Sequence, residues 1–400
     1  MEEVSRYAVG LDIGTSSVRA VVGSVGKDGK ISVIGYGEVP NSGMRKGTVA
    51  NLSGSAQAID SVLADAEKMS GHEVNSAVVS VNGSHILSTK TDGMIAVGTM
   101  EHTIDENNLD RVDDVAVTGK IPANREILDL IPHSYALDGQ GGIKNPLGMT
   151  GSRLEIKANV VSGLSPYCQN VRKAADMAKV TVDKLVPSVV AAAKSVLYER
   201  QLENGVGIMD LGATTTGVAV FEEGDLQYVG VVPMGGNSIT NDLAMELKTD
   251  PEVAEEIKRR FVSGSFDSSD KDIVIKRGRD ELVFARTDVD EIVEARLEEV
   301  FEAARRELKR AGYDKRLPEG IILTGGGAKL RDIDVFAKKV LELAVKVGVP
   351  RELGGVGGSV SKQEYAVAVG LMLASTEEKV IVKKGSQKKA GLFKRVFSKF

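Results

Sequence analysis

Two short stretches of this chain carry the same chemical device. Residues 9–22 read VGLDIGTSSVRAVV and residues 207–220 read GIMDLGATTTGVAV. Laid over one another, Asp12 falls on Asp210, Gly14 on Gly212, Ser16 on Thr214 and Ser17 on Thr215. Each is an apolar strand, an acid, a glycine turn with hydroxyls, and a second apolar strand. A glycine turn lets successive backbone N–H groups face an anion with no Cβ in the way. Thr15, Ser16 and Ser17 in one copy, Thr214 and Thr215 in the other, add hydroxyl donors. Asp12 and Asp210 would repel a phosphate, so their use beside one is through a cation, for the most part by way of its water. Mg²⁺ keeps several waters and is held by one or two carboxylates plus phosphate oxygens. The same device in both halves predicts two related lobes closing on the phosphates of one nucleotide, with Mg²⁺ between them.

A third piece is ILTGGGAKL, a strand followed by Gly325, Gly326 and Gly327 and then a helix, with Lys329 close behind. It offers a flat backbone surface and a helix start against which a ribose or adenine could lie. A weaker fourth is PMGGNS, where Gly235 and Gly236 could approach the same cleft, although such a pair alone is more often a plain turn. Any single D-x-G turn is also more often an ordinary hairpin; the three stronger pieces in this order point to a nucleotide.

The elements that must position these turns follow from the patterning. Four hundred residues exceed what one core fills, so two lobes or several subdomains are expected. YAVGLD, VRAVVG and ISVIGYGEV read as strands, SAQAIDSVLADAEKM as a helix and SAVVSV as a buried strand. From about Ser84 to Gly163 the texture turns to irregular short strands around a helix near IDENNLDRVDDVA. Helices over PYCQNVRKAADMAKV and SVVAAAKSVLYERQL lead into a second meander, GVGIMDLG, TGVAVF and LQYVGVVP. Charged helices and the loop SGSFDSSDKD fill about 241–310, SKQEYAVAVGLMLAS is a closing apolar helix, and TEEKVIVKKGSQKK reads as a polar linker.

Composition excludes several classes. The net charge is −5, and from Lys383 onward there are only basic charges (Lys383, Lys384, Lys388, Lys389, Lys394, Arg395, Lys399), so the body is more acidic than the whole. An acidic body argues against nucleic acid as the partner. A single Cys, Cys168, leaves no internal disulfide or Cys-rich metal site, and the four His show no ligand-like spacing. MEEVSRYAVG lacks a charged-then-apolar signal pattern, and no run reaches the ~18 apolar residues that span a bilayer. The expectation is a cytoplasmic protein with a surface anchor at its end.

That anchor is AGLFKRVFSKF. Aromatics are 4% of the chain, yet Phe393, Phe397 and Phe400 crowd its last residues. On a helix, Leu392, Phe393, Val396, Phe397 and Phe400 span an arc of about 140°. Lys394 and Arg395 lie away from that arc, and Lys399 at its edge. This is the pattern of an interfacial helix on anionic lipid, weak as one copy and firm when a polymer presents many. The alternatives are docking on its own protein or on a partner.

As a set, these turns resemble the actin-like ATPase superfamily, and over essentially the full length the chain resembles the FtsA family of bacterial cell-division proteins. IPHSYALDGQGGIKNPLGM carries the specific likeness, supported by TGGGAKL, EIVEARLEEVF and the tail. The resemblance implies an α/β, actin-like two-lobed fold of duplicated RNase H-like domains with an extra subdomain inserted in the first lobe. It divides the chain into first-lobe core (1–83 and 164–203), inserted subdomain (84–163), second-lobe core (204–240), a second insertion (241–310), second-lobe core with closing helix (311–375), a linker (376–390) and an amphipathic helix (391–400). It further implies ATP and Mg²⁺ as ligands, filaments of the chain itself, other division proteins as partners, and tethering of FtsZ through that protein's C-terminal peptide.

Residue by residue, the resemblance assigns Asp12, Gly14 and Thr15 to Ser17 to the first phosphate loop and Asp210, Gly212, Thr214 and Thr215 to the second. Gly325 to Gly327 and Lys329 match the adenosine loop. AEEIKRR matches a helix whose Glu and Lys surround the nucleoside, which would be Glu255 and Lys258; a solvated i,i+3 ion pair is the competing reading. Arg296 could pair an acidic group of the FtsZ peptide or simply Glu299 on its own helix. Active relatives carry Gln or Glu just before the helix that begins at PSVVAAAKS, to orient the attacking water. Here Val186, Pro187 and Ser188 stand instead, which predicts slow or negligible hydrolysis. The rival functions are an actin-like component of type IV pilus or secretion assembly binding a membrane-protein partner, and a sugar or acid kinase; for the latter no catalytic Asp can be assigned, Asp92 and Asp129 being the open positions.

Overall fold

In the computed structural model the described residues are 6–27, 29–98, 103–262, 271–278 and 280–384. Two sheets of the same plan form the two lobes. In the first, Arg6–Ile13, Ser17–Val25 and Ile31–Pro40 run as an antiparallel meander. Ser76–Val81 and then Thr181–Pro187 add in parallel beside Arg6–Ile13. In the second, Val206–Leu211, Thr216–Glu222 and Asp225–Val232 form the meander. Ile321–Thr324 and Val345–Val347 are its parallel additions. The duplication read from the two acid–glycine turns therefore extends to whole sheets, and each turn is the hairpin joining the first two strands of its lobe.

The lobes meet through two helices, Ser188–Val196 and Ala366–Lys384. Every residue of the first is buried. The helices touch at a glycine: a Cβ on Gly370 would sit 1.7 Å from the carbonyl oxygen of Ala191. Only the absence of a side chain permits that crossing. SVVAAAKSVLYERQL, expected as one helix, breaks at Leu197, which is extended (φ −82, ψ 151), and resumes as Glu199–Asn204.

The first insertion is a sheet with strand order Leu87–Ala96, Arg153–Leu164, Arg125–Leu137, Gln140–Ile143, covered by the helix Glu106–Val117. That helix starts at a capping box in which Asp105 and Asn108 each bond the other's backbone. The expectation of irregular short strands is corrected: Arg125–Leu137 alone has 13 residues. Its pattern is blurred by bulges at His133 and Leu128, which slip its register against Lys157/Ala158 and Val161/Ser162 of the neighbouring strand Arg153–Leu164 and break the inside–outside alternation. This sheet also touches the second lobe. Ser88 Oγ donates to Val229 O at 3.2 Å and accepts from Val229 N at 2.9 Å, and Lys144 pairs with Asp225 at 2.8 Å.

The second insertion holds the helices Gly236–Glu246, Pro251–Val262 and Arg286–Ala311 and the hairpin Asp272–Arg277 with Asp280–Ala285. A linker expected from 376 is corrected in part, because the last helix continues to Lys384. TEEKVIVKK contains no helix breaker, and the next glycine in the chain is Gly385. The amphipathic helix expected at 391–400 lies outside the described residues. Among those described, no helix is long and apolar enough to cross a membrane.

Candidate functional site

Both hairpin turns are built alike. Gly14 N donates to Ser17 O at 3.1 Å and Gly212 N to Thr215 O at 2.9 Å. Asn41 braces the first turn, its Nδ2 donating to Gly14 O at 2.8 Å. The start of the Gly236–Glu246 helix braces the second: Gly236 N donates to Gly212 O at 3.0 Å and Asn237 N to Ala213 O at 2.6 Å. The turns face each other. The hydroxyls of Thr15 and Thr214 share a hydrogen bond of 2.9 Å, and Asn82 Nδ2 of the first lobe donates to Thr215 Oγ1 at 3.1 Å.

Between the lobes lies a cavity of about 690 Å³, lined by Asp12 and Gly14 to Ser17 from one side and by Asp210, Gly212 and Thr215 from the other. Gly236, Glu255, Lys258, Gly325 to Gly327 and Lys329 complete the predicted set on its wall. Thr214 and Gly235 do not line it. The Thr214 hydroxyl is taken up by Thr15, and Gly235 stands at the cap of the helix behind the wall. Gly325 has φ 84, and a Cβ there would lie 2.3 Å from Asp210 Oδ1, so the third glycine turn is pressed against the second acid.

The electrostatics are those of two buried acids. Asp12 and Asp210 are each 7% exposed. Burial raises the Asp12 carboxyl above its usual range, with Arg19 opposing. Burial first and repulsion from Asp12 second push Asp210 to about 7. Glu255 goes the other way: burial raises it, but hydrogen bonds from Lys258 and Thr240 outweigh that and hold it low. Lys258 Nζ meets Glu255 at 2.6 Å, Thr240 Oγ1 at 2.8 Å and the Gly236 carbonyl at 3.2 Å. The i,i+3 pair is thus real and also sits on the cavity wall.

Several wall residues were missed from sequence. Arg19 lies directly across the strand pair from Asp12, and its guanidinium pairs with Glu38 at 2.6 Å and sits 5.6 Å over the Tyr365 ring. At the matching place in the second lobe, opposite Asp210, stands Gly217. A charge inside the apolar strand SVRAVV was the available signal for Arg19. Asn82 ends a buried strand in an Asn-Gly pair, a readable turn. Glu364 had no signal. Ser188 also lines the cavity, where a water-orienting Gln or Glu was sought, and Val186 beside it is buried. Arg296 is clasped within the chain: its guanidinium forks onto Asp242, one arm at 2.9 Å, and reaches Glu299 at 2.6 Å. Among the described residues no group of three or more His, Cys, Asp or Glu could hold a metal, so a cation here would rely on Asp12, Asp210 and ligand oxygens.

Comparison with known proteins agrees with the architecture. Residues 208–370 match the family described as Cell division protein FtsA, and residues 83–162 match the SHS2 domain inserted in FTSA. The chain is 36% identical to Cell division protein FtsA of Pseudomonas aeruginosa over 374 residues, covering 92% of this chain and 89% of that one. It is 34% identical to the protein of that name from Neisseria meningitidis, with 94% and 91% covered. Among solved structures, a chain of the PilM-PilN type IV pilus biogenesis complex superposes with a TM-score of 0.66 at 18% identity, covering 92% of this chain and 98% of that chain. MreB5 of Spiroplasma citri bound to ADP gives 0.57 at 14% identity, with 95% and 99% covered. At those identities the two structures speak for the fold: an actin-like α/β architecture.

Proposed function

This chain belongs to the FtsA family of cell-division proteins, and from that premise we propose that it binds ATP with Mg²⁺, forms filaments on the cytoplasmic face of the membrane and tethers the FtsZ ring there. The observation that carries the nucleotide part is the pair of acid–glycine–hydroxyl turns, one per lobe, bridged by Thr15 and Thr214 over a single cavity. Amides and hydroxyls of both turns would hold the β- and γ-phosphates. Glu255, Lys258 and the Gly325–Gly327 turn would hold the nucleoside.

The donor set fits a magnesium ion. Two buried carboxylates that repel one another and are driven toward protonation are relieved by a hard divalent cation, which takes oxygen ligands and keeps its water. Asp12 and Asp210 would hold it, and it would neutralise charge on the phosphates. Hydrolysis would be slow, because Val186, Pro187 and Ser188 offer neither carboxylate nor amide to orient a water. Turnover matching a competent filament ATPase would sink that part.

The tail at 391–400 supplies the membrane contact in this reading, and filament assembly multiplies it. The FtsZ C-terminal peptide is the partner, with Arg296 one contact on the second insertion. The test is liposome co-sedimentation of the whole chain and of a version ending at Lys389, with and without Mg-ATP, on anionic and neutral lipid. Pelleting of the whole chain alone, stronger with Mg-ATP and anionic lipid, is the expected result. Equal behaviour of both versions would move the tail to a protein partner or to the fold.

A further inference from the structure

A second cavity, of about 510 Å³, opens at the far end of the helix Ser188–Val196. Ser188, at the start of that helix, lines the central cavity. Lys194 in its last turn and Leu197 just beyond line this one, and among the described residues none is common to the two linings. The break in the helix makes the space. Leu197 and Tyr198 are both extended (ψ 151 and 152), so the chain steps off the helix axis before Glu199–Asn204 begins. Leu197 and Leu202, each 1% exposed, form the floor. Ile31 of the first sheet and Leu373 of the last helix complete the apolar wall.

The rim has the make-up of a protein contact. Tyr198 is 60% exposed, and the Arg200 side chain is 86% exposed with a loose pair to Glu319 at 3.7 Å. Arg351 is exposed yet fixed in place, its N donating to Ser195 O at 2.9 Å and its Nη2 to Lys194 O at 2.7 Å. Among the described residues its guanidinium meets that carbonyl and no carboxylate. Lys194 is buried and partnered within the chain. Two exposed guanidinium groups therefore stand over an apolar floor, against one acid of the lining, Glu199. Tyrosine and arginine around a desolvated pocket are the residue types that carry most of the binding energy at protein interfaces.

Charge chooses the occupant. The chain's own end, basic from Lys383 onward with no acid, has the wrong sign. A neutral apolar segment would leave both guanidinium groups without a counter-charge. We propose that this cavity docks a short segment of a partner protein that carries carboxylates beside one or two large apolar side chains. The apolar groups fill the space over Leu197 and Leu202, and the carboxylates pair with Arg200 and Arg351. The surface is separate from that of Arg296 and does not depend on the nucleotide reading.

Panning a phage library of random dodecapeptides on the full chain, then titrating the retained sequences as synthetic peptides by calorimetry, tests it. Retained sequences should be enriched in Asp and Glu beside Leu or Phe. Arg200→Glu and Arg351→Glu should each weaken their binding by about tenfold or more, as expected for bonds between charged groups. Exchanging Glu for Lys in the peptide should restore binding to Arg200→Glu. Arg351→Glu also loses a bond to the end of a helix, so Arg200→Glu serves alone if that variant does not fold. Retained peptides that bind both variants like the wild type sit elsewhere and overturn the proposal, as does a retained pool without acids. Retention of no peptide overturns it too. Binding of soluble dihexanoyl phosphatidylglycerol to the wild type and not to Arg200→Glu would then assign the cavity to an anionic lipid.

Discussion

Thr15 and Thr214 meet at 2.9 Å, one hydroxyl from each lobe, and Thr15 lines the central cavity. Thr15 Oγ1 also accepts from Gly47 N at 3.2 Å, so the contact is anchored in the first lobe. The pair sets how closely the two glycine turns approach one another. Thr15→Val and Thr214→Val keep the shape and remove the bond. Each should weaken Mg-ATP binding by about three- to tenfold, the range of one neutral hydrogen bond. Because the two share that bond, the double variant should cost clearly less than the sum of the singles. Additive losses measured by calorimetry would mean that the hydroxyls act separately on the ligand.

The buried acids make opposite predictions for binding and for stability. Burial and then Asp12 push the Asp210 carboxyl up to about 7, so its ionised form weighs on the nucleotide-free fold. Asp210→Asn removes that repulsion and should raise the melting temperature without nucleotide by a few degrees. The same change should abolish the gain in ATP affinity that Mg²⁺ gives. A melting temperature that falls, together with unchanged Mg²⁺ dependence, would remove Asp210 from the metal.

The acid–glycine turns were legible because the device occurs twice, and residues that repeat in the same order are hard to produce by chance. Arg19 was not, since its role depends on strand register: only the pairing of Asp12 with Arg19 places the two side by side. Glu364 was hidden for a different reason. It reaches the cavity wall because Gly325 N at the third glycine turn donates to Gln363 O, a long-range closure that no local pattern encodes. The insertion's sheet is blurred by its bulges, and the last helix runs on through a charged stretch whose polarity resembles that of a linker. Local chemistry was readable; what depended on which strand pairs with which was not.

One buried and one half-buried imidazole, His85 and His133, predict sensitivity to acid. His85 stacks on Tyr167 at 4.7 Å, accepts from Leu164 N at 3.2 Å through Nδ1, and is pushed down to about 4 by burial. His133, whose two nitrogens are buried without partners, is also lowered by burial. Asp225 and Glu223 of the second lobe and Lys144 and Lys90 of the insertion surround it. Both groups bind protons more readily in the unfolded chain. Their contribution is therefore complete above the unfolded value of about 6.5 and is lost as pH falls below it. For His85 the loss levels off near 4. The melting temperature should drop between about pH 7 and pH 5. His133→Leu, which replaces an unsatisfied polar ring by an apolar one, should make that drop shallower at no cost in stability near neutral pH. A drop of unchanged slope would show that His133 is not buried in solution.

Arg296 puts the partner reading at risk in a measurable way. Its guanidinium forks onto Asp242 and reaches Glu299, with its own side chain 25% exposed and Asp242 23%. The Asp242 fork holds the helix Arg286–Ala311 against Gly236–Glu246, the helix that braces the second phosphate turn. An acidic peptide would have to displace at least one of the two carboxylates before it could pair with the arginine. Glu299, 61% exposed, is the one that can leave; the Asp242 fork is the structural contact. Arg296→Glu removes both pairs and sets like charges together, so it should lower stability by on the order of 1 kcal/mol and weaken FtsZ-peptide binding as well. Glu299→Ala separates the two roles. It leaves the Asp242 fork intact and frees one arm of the guanidinium, so it should strengthen peptide binding with little change in melting temperature. If Arg296→Glu costs stability while both variants bind the peptide like the wild type, Arg296 is a brace between two helices and the peptide sits elsewhere.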